Sequence, residues 1–427
     1  MRVGLVTTSY PRFPGDLAGG FVAEHAAYLA RVGCEVEVIA AGDSRLVTAS
    51  GSGTGYESES GTGTGTFSDR GSGSGSGHLP EARGLRSEAR GVRVRWVAAS
   101  AGLFDGAGAP EELAGSARAW LAAARFSVAL TREVARAARR WDAVIAHWLV
   151  PGGLAALVAA PRVPLLAIAH SGDVHLLRRL RALGAAGMLC RRADVRLSFV
   201  SEELRGIFLE RAPRCAPIAQ VCPMGVDVAR LRAARAHRAG PGADSTVLFL
   251  GRLVPVKGVD VLVRAASLWR SNARLVIAGA GPAEPGLRRL AAAAPGRIHF
   301  AGQVFGADRD RALAAADLVA LPSVRLEDGR SEGLPVVALE AMAAGAAVIA
   351  SSVGGLADLS AVTHVAPGDP AALAAAVDAL LLDPARRLRQ VEAQDRLLPG
   401  LDWSAIGPRL MPPHPVRSRS LDRRCAP

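Results

Sequence analysis

The chain reads as an α/β protein made of two Rossmann-like, doubly wound domains facing each other across a cleft. Three observations predict this. Short apolar runs alternate with longer helical patterns, as parallel sheets covered by helices require. The runs fall into two series, separated near 228–244 by an Arg- and Ala-rich stretch that ends in Gly-Pro-Gly-Ala. Finally, 427 residues, half of them hydrophobic, exceed one core and suit two or three.

In the first series, residues 3–7, 35–41, 92–98, 143–147, 164–169 and 197–201 read as buried strands. In the second, residues 246–250, 273–278, 298–301, 318–321 and 347–350 do. This places a first domain at 1–235 and a second at 243–400. A Gly/Ser-rich stretch at 50–78 breaks the pattern and is expected to be a flexible insert without function. The arginine-rich end at 410–427, with Pro412, Pro413 and Pro415, is expected to be disordered. Doubly wound sheets bind ligands beyond the carboxyl ends of their strands, so the chemistry should sit in the strand-end loops.

Those loops carry recognisable chemistry. After the first strand, Gly19-Gly20 precedes Phe21-Val22-Ala23-Glu24, which lets a ligand approach the backbone at a helix start. It is not G-x-G-x-x-G, so the dinucleotide fingerprint is absent and a dehydrogenase is disfavoured. Ala146-His147-Trp148 ends one strand and reads as packing and a turn. Ala169-His170-Ser171-Gly172-Asp173 ends the next, with His175 deeper in the following helix. In the second series, Gly251-Arg252-Leu253-Val254-Pro255-Val256-Lys257-Gly258 sets two cations in a strand-to-helix loop. Arg supplies a planar fork and Lys a point charge, a pairing suited to a diphosphate. Gly279 and Gly281 close one strand, and Gly302-Gln303-Val304 the next; Gly354-Gly355 closes a later one.

The most informative segment is Arg330-Ser331-Glu332-Gly333-Leu334-Pro335, followed by Val336-Val337-Ala338-Leu339-Glu340. Pro335 is expected as the first helical residue, where its missing N–H costs nothing. The amides of Gly333 and Leu334 would then face out of the positive helix end, ready for phosphate. One carboxylate stands in the loop and the other more than a turn inside the helix.

Charge agrees with an anionic ligand. Lys and Arg number 51 against 39 Asp and Glu, a net charge of +12. Nucleotide diphosphates, anionic lipid and nucleic acid would all suit it. Aromatic residues are only 4%, and no nucleic-acid-binding motif is present, which disfavours the last. Five widely spaced cysteines without a C-x-x-C pair fit reduced thiols. With no signal region and no apolar run of about 18 residues, a cytoplasmic protein is expected. No metal-ligand cluster is evident and no cofactor is called for. The basic stretch from His175 to Leu183 could rest peripherally on anionic membrane at the inner face of the cell.

The Glu-x7-Glu segment, the Gly-Arg-Leu…Lys-Gly loop and the order of the other motifs resemble family 4 retaining glycosyltransferases (glycosyl transferases group 1). The resemblance covers about 1–44 and 92–399. It implies a GT-B architecture and a metal-independent hexosyl transfer from a nucleotide diphosphate sugar to a hydroxyl acceptor. Cell-envelope glycolipid or polysaccharide synthesis is the implied setting, and the acceptor stays open between free and lipid-linked. By the same resemblance, Glu332 and His170 lie at the donor sugar, and Arg252 and Lys257 on the diphosphate. Gly20, Gly333 and Leu334 lie near the phosphates, Gly279 and Val304 at the base, and Glu340 at the ribose. Two alternatives stand: a nucleotide-sugar 2-epimerase, and a nucleotide-sugar-binding homologue with impaired catalysis. The second arises because Trp403 to Met411 looks like the start of a closing helix that the prolines stop.

Overall fold

The computed structural model describes residues 1–12, 16, 18–42, 91–99, 116–191, 194–236, 245–292 and 296–413. The expected insert at 50–78 and residues 414–427 of the expected tail lie outside these.

The first sheet comprises β1 (Arg2–Thr7), β2 (Glu35–Gly42), β3 (Val92–Ala98), β4 (Ala143–His147), β5 (Leu165–Ala169), β6 (Val195–Phe199) and β7 (Ala219–Val221). Its order is β3-β2-β1-β4-β5-β6-β7, and every pair is parallel. The second comprises β8 (Thr246–Leu250), β9 (Arg274–Ala278), β10 (Ile298–Gly302), β11 (Leu318–Leu321), β12 (Ala347–Ser351) and β13 (Thr363–Val365). Its order is β10-β9-β8-β11-β12-β13, again all parallel. Central strands such as β4 and β12 are buried along their whole length, because helices cover both faces.

Three sequence expectations shift. The run expected at 197–201 is β6 at Val195–Phe199, because Ser201 instead caps the helix Glu202–Leu209. Its hydroxyl accepts from the Leu204 amide, and Glu202 and Glu203 occupy the positive first turn. The edge strands β7 and β13 were not anticipated. Pro335 is not the first helical residue: the helix is Val336–Ala344, and Pro335, with ψ 120°, stands just before it. Upstream, a Cβ on Gly333 would lie 2.3 Å from the His170 carbonyl oxygen, so the loop before the helix passes close against the first domain. Gly333 and Leu334 are therefore loop residues rather than helix-end donors.

The helix Val336–Ala344 is buried on nearly every side, which explains an apolar sequence without an amphipathic stripe. It packs between the second sheet and the helix Val228–Ala236. The chain crosses between the cores twice. Met224 packs in the first core and Val226 in the second. Later, Leu398 belongs to the second, while Trp403, Ile406 and Leu410 return to the first. The crossings bond to each other: the Val226 amide donates to Leu401 O at 3.0 Å, and the Trp403 amide to Val226 O at 3.3 Å. The closing helix is short, Trp403–Ile406 followed by a 3-10 turn Gly407–Leu410, and it ends before the prolines. It still docks firmly, with Trp403 stacked on His25 and Leu410 fully buried. Four cysteines, Cys34, Cys190, Cys215 and Cys222, are buried free thiols.

Candidate active site

A cavity of about 1020 Å³ opens between the carboxyl ends of the two sheets. Its lining includes His170, Arg252, Lys257, Glu332, Gly20, Gly279, Val304, Gly333, Leu334 and Glu340. These residues are spread over more than three hundred positions of sequence and meet only because strand ends of both domains converge.

On the second-domain side, tight backbone packing fixes the loops. A Cβ on Gly279, with φ +154°, would sit 1.8 Å from Gly251 O, and one on Gly258, with φ +60°, 2.0 Å from Pro322 O. Only glycine permits those approaches, and they hold the loop that carries Arg252 and Lys257. The Lys257 ammonium lies 3.1 Å from the Glu332 carboxylate, a largely buried pair. Gly354 and Gly355 do not line the cavity. They back it: Cβ atoms there would strike Glu332 O at 2.1 Å and Gly333 O at 1.9 Å.

Glu340 is 6% exposed and gripped by a residue the sequence reading missed. Arg309, on the helix Gly306–Ala315, donates to both Glu340 oxygens, one bond measuring 2.8 Å. Beside it, Arg230 bonds Asp310 and reaches Glu24 on the first domain at 3.0 Å; Trp403 Nε1 donates to the same Glu24 at 3.1 Å. Burial and the nearby Glu340 charge push the Glu24 carboxyl up to about 7, against the pull of Trp403 and Arg230. Asp308-Arg309-Asp310-Arg311 alternates in sign and reads in isolation as a solvated face, so nothing local marked Arg309.

On the first-domain side, three imidazoles form a chain. His25 Nδ1 lies 3.2 Å from His147 Nε2, and His147 Nδ1 lies 3.0 Å from His170 Nε2. Burial lowers all three, His25 to about 4 and His170 to about 3, so the chain is neutral at pH 7. His170 is further placed by Asp173, whose Oδ1 accepts from the His170 and Ser171 amides and whose Oδ2 accepts from Leu149 at 2.7 Å. Trp148 and Phe21 complete an aromatic wall, each ring centroid 4.9 Å from that of His170. His175 does not line the cavity; its Nε2 accepts from the Ser331 amide at 3.4 Å.

The two domains are clasped at this point. Ser171 Oγ donates to Ser331 O at 2.7 Å, and Ser331 Oγ donates to Glu203 at 2.7 Å. Arg325 forks onto Glu203 with two bonds of 2.9 Å. Burial raises the Glu203 carboxyl, but those bonds outweigh it and hold the group below its ordinary value. Among the described residues no His, Cys, Asp and Glu cluster forms a metal-binding group, and no helix is long and apolar enough to cross a membrane.

Two parallel-sheet domains with converging strand ends and an interdomain cleft define the GT-B class. The relatives agree. Residues 81–230 match the model of Glycosyltransferase Family 4, and residues 244–383 that of Glycosyl transferases group 1. A D-inositol 3-phosphate glycosyltransferase from Kineococcus radiotolerans is 32% identical over 74% of this chain and 79% of its own length. A phosphatidyl-myo-inositol mannosyltransferase from Mycobacterium leprae is 36% identical over 44% of this chain; the match spans only 51% of that relative. Among solved structures, sucrose-phosphate synthase from Thermosynechococcus elongatus superposes with a TM-score of 0.70 at 21% identity, covering 96% of this chain and 97% of its own. Anabaena HepE in complex with UDP gives 0.64 at 19%, covering 96% and 98%. The chain belongs to family 4 of the glycosyltransferases, the group 1 glycosyl transferases.

Proposed function

We propose that the protein moves a glycosyl unit from a nucleoside diphosphate sugar to a hydroxyl acceptor, with retention of anomeric configuration. The observation that carries this is the meeting of Glu332, Glu340, Arg252, Lys257 and His170 around one interdomain cavity. Support for the donor comes from HepE, whose structures hold UDP and UDP-glucose. Relatives named for phosphatidyl-myo-inositol support a role in glycolipid or other envelope glycoconjugate synthesis.

In the proposed reaction the bond from the anomeric carbon to the diphosphate oxygen breaks, and its electron pair leaves with the nucleoside diphosphate. Arg252 and Lys257 meet the charge that grows there, preset in a loop that close glycine packing holds. These cations supply the countercharge without calling on a metal or other cofactor. Glu332 steadies the positive character at the anomeric carbon and holds sugar hydroxyls; because Lys257 lies against it, the two respond together to donor binding. The acceptor oxygen bonds the same face of the sugar, and its proton passes to the departing phosphate oxygen. His170 bonds the sugar and the incoming hydroxyl. Glu340 takes the ribose hydroxyls, sharing its carboxylate with Arg309, while Gly279 and Val304 flank the base and Gly20 the phosphates.

The helix Gly172–Arg179 carries Arg178 and Arg179, and the exposed Leu180, Met188 and Leu189 follow it. Arg179 and these exposed apolar side chains support the reading of peripheral contact with anionic membrane at the cytoplasmic side.

The test is a thermal-shift screen of UDP, GDP and ADP and their sugars, followed by product analysis on the donor that binds, with and without chelator. One nucleotide should raise the melting temperature, Arg252→Ala should abolish most of that shift, and the product should keep the donor's anomeric configuration. A set of donors that all leave the protein unmoved, or an epimerised donor without transfer, would overturn the reading.

A further inference from the structure

We propose that Ser171 and Glu203 of the first domain are positioning residues for Glu332, an acid carried by the second. This deepens the glycosyl-transfer reading and rests on it for the role of Glu332. Ser331, the residue just before that acid, is 1% exposed. Its amide, hydroxyl and carbonyl all engage the first domain. The amide donates to His175 Nε2 at 3.4 Å, the hydroxyl donates to Glu203 at 2.7 Å, and the carbonyl accepts from Ser171 Oγ at 2.7 Å. Glu332 leans the other way. Its carbonyl accepts from the Gly355 amide at 3.3 Å, and its carboxylate meets Lys257 at 3.1 Å. A single peptide bond thus joins a residue held by one domain to a carboxylate used by the other. A shift at Ser331 must turn Glu332 away from Lys257, and misplacing a reacting group by about 1 Å costs about a hundredfold in rate.

Backbone strain points to the same bond. Ser171 takes φ +131° and ψ −64°, a region that a residue with a Cβ enters only at a cost. Asp173 holds the turn by accepting from the His170 and Ser171 amides. The strained turn delivers the Ser171 hydroxyl to Ser331 O. Because Ser171 follows His170 and Ser331 precedes Glu332, this one bond ties the imidazole to the acid. The segment leading to Ser331 is anchored as well. Arg325 forks onto Glu203 with two bonds of 2.9 Å, and Arg178 donates to Asp328 O at 3.0 Å. Residues 325–331 therefore follow the first domain. Arg252 and Glu340 stand on other segments of the second domain, so nucleotide binding and the placement of Glu332 are separable.

The experiment compares Ser171→Gly and Glu203→Ala with the native full chain. Glycine suits the φ of position 171, so Ser171→Gly should keep the melting temperature within about 3 °C while deleting the hydroxyl. In both variants the affinity for UDP, GDP or ADP, by calorimetry, should stay within about threefold of native. Release of sugar to water from the matching UDP, GDP or ADP sugar should fall at least about tenfold in kcat. Hydrogen exchange reads the placement without turnover: amides at 326–333 should exchange at least about tenfold faster, and those of the helix Val336–Ala344 at the native rate. Glu202→Ala removes a carboxylate from the same first turn as Glu203, but one that pairs with Arg205, and should leave every reading as in the native chain. Native turnover or native exchange in Ser171→Gly and Glu203→Ala overturns the proposal. So does a nucleotide affinity that falls as far as turnover, which a general loosening of the site would give. If no nucleotide binds the native chain, the donor reading falls, and exchange alone decides whether the first domain places Glu332.

Discussion

Arg309→Ala probes the least legible part of the site. Glu340 is 6% exposed, and both its oxygens accept from the Arg309 guanidinium. Removing the arginine leaves a buried carboxylate near Glu24, whose own carboxyl is already pushed up to about 7, first by burial and then by the Glu340 charge. Removing one partner of a buried pair costs about 3–5 kcal/mol. Arg230 also feels Glu340 electrostatically and would offset part of this, so about 2–3 kcal/mol is expected. For a domain of this size that lowers the melting temperature by roughly 5–10 °C. Scanning calorimetry and urea unfolding at pH 7 would measure it. The double variant Arg309→Ala/Glu340→Gln should recover most of the loss, because the uncompensated charge is gone. A loss under about 1 kcal/mol for the single variant, or a double variant no more stable than the single, would refute the reasoning.

Three further outcomes are expected. Gly279→Ala places a methyl 1.8 Å from Gly251 O, so the Arg252 loop must move; nucleotide affinity by calorimetry should fall at least tenfold, and unchanged affinity would contradict the packing. His147→Phe removes the bond to His170, so transfer should slow by about fivefold to tenfold, one hydrogen bond's worth, with donor affinity kept; His147→Asn or His147→Gln should restore part of the rate in a steady-state assay. The buried histidines also set an acid sensitivity. Their folded values lie below 6.5, so the unfolded chain binds more protons and stability falls as pH drops from about 6.5 towards 4. Urea midpoints should decline across that window, and His25→Phe should flatten the decline; a flat profile in the native chain would contradict the buried neutral chain.

Much of the fold is written in short-range pattern. Strands such as β4, β8 and β11 lie between two helical layers, so they appear as unbroken apolar runs whose ends fix the loops. That is why strand-end residues, Arg252 and His170 among them, can be placed at a cleft from the sequence. The three-residue edge strands β7 and β13 carry too little pattern to register. Pro335 stands one residue before the helix, and the loop that leads to it passes against His170, a contact remote in sequence. The remaining gaps share one cause. His25, His147 and His170 meet because the helix Gly20–Arg31 after β1 packs beside the carboxyl ends of the neighbouring strands β4 and β5, and Arg309 meets Glu340 through helix packing. Charged residues on helices look alike in sequence whether they face water or one another.

The most direct measurement is a crystal structure of the protein soaked with the nucleoside diphosphate that the screen selects. The diphosphate should lie within hydrogen-bond reach of Arg252 and Lys257, with the ribose against Glu340 and the Arg309 fork loosened or shared. Density for the nucleotide outside the cleft, or inside it with the phosphates turned away from both cations, would contradict the account.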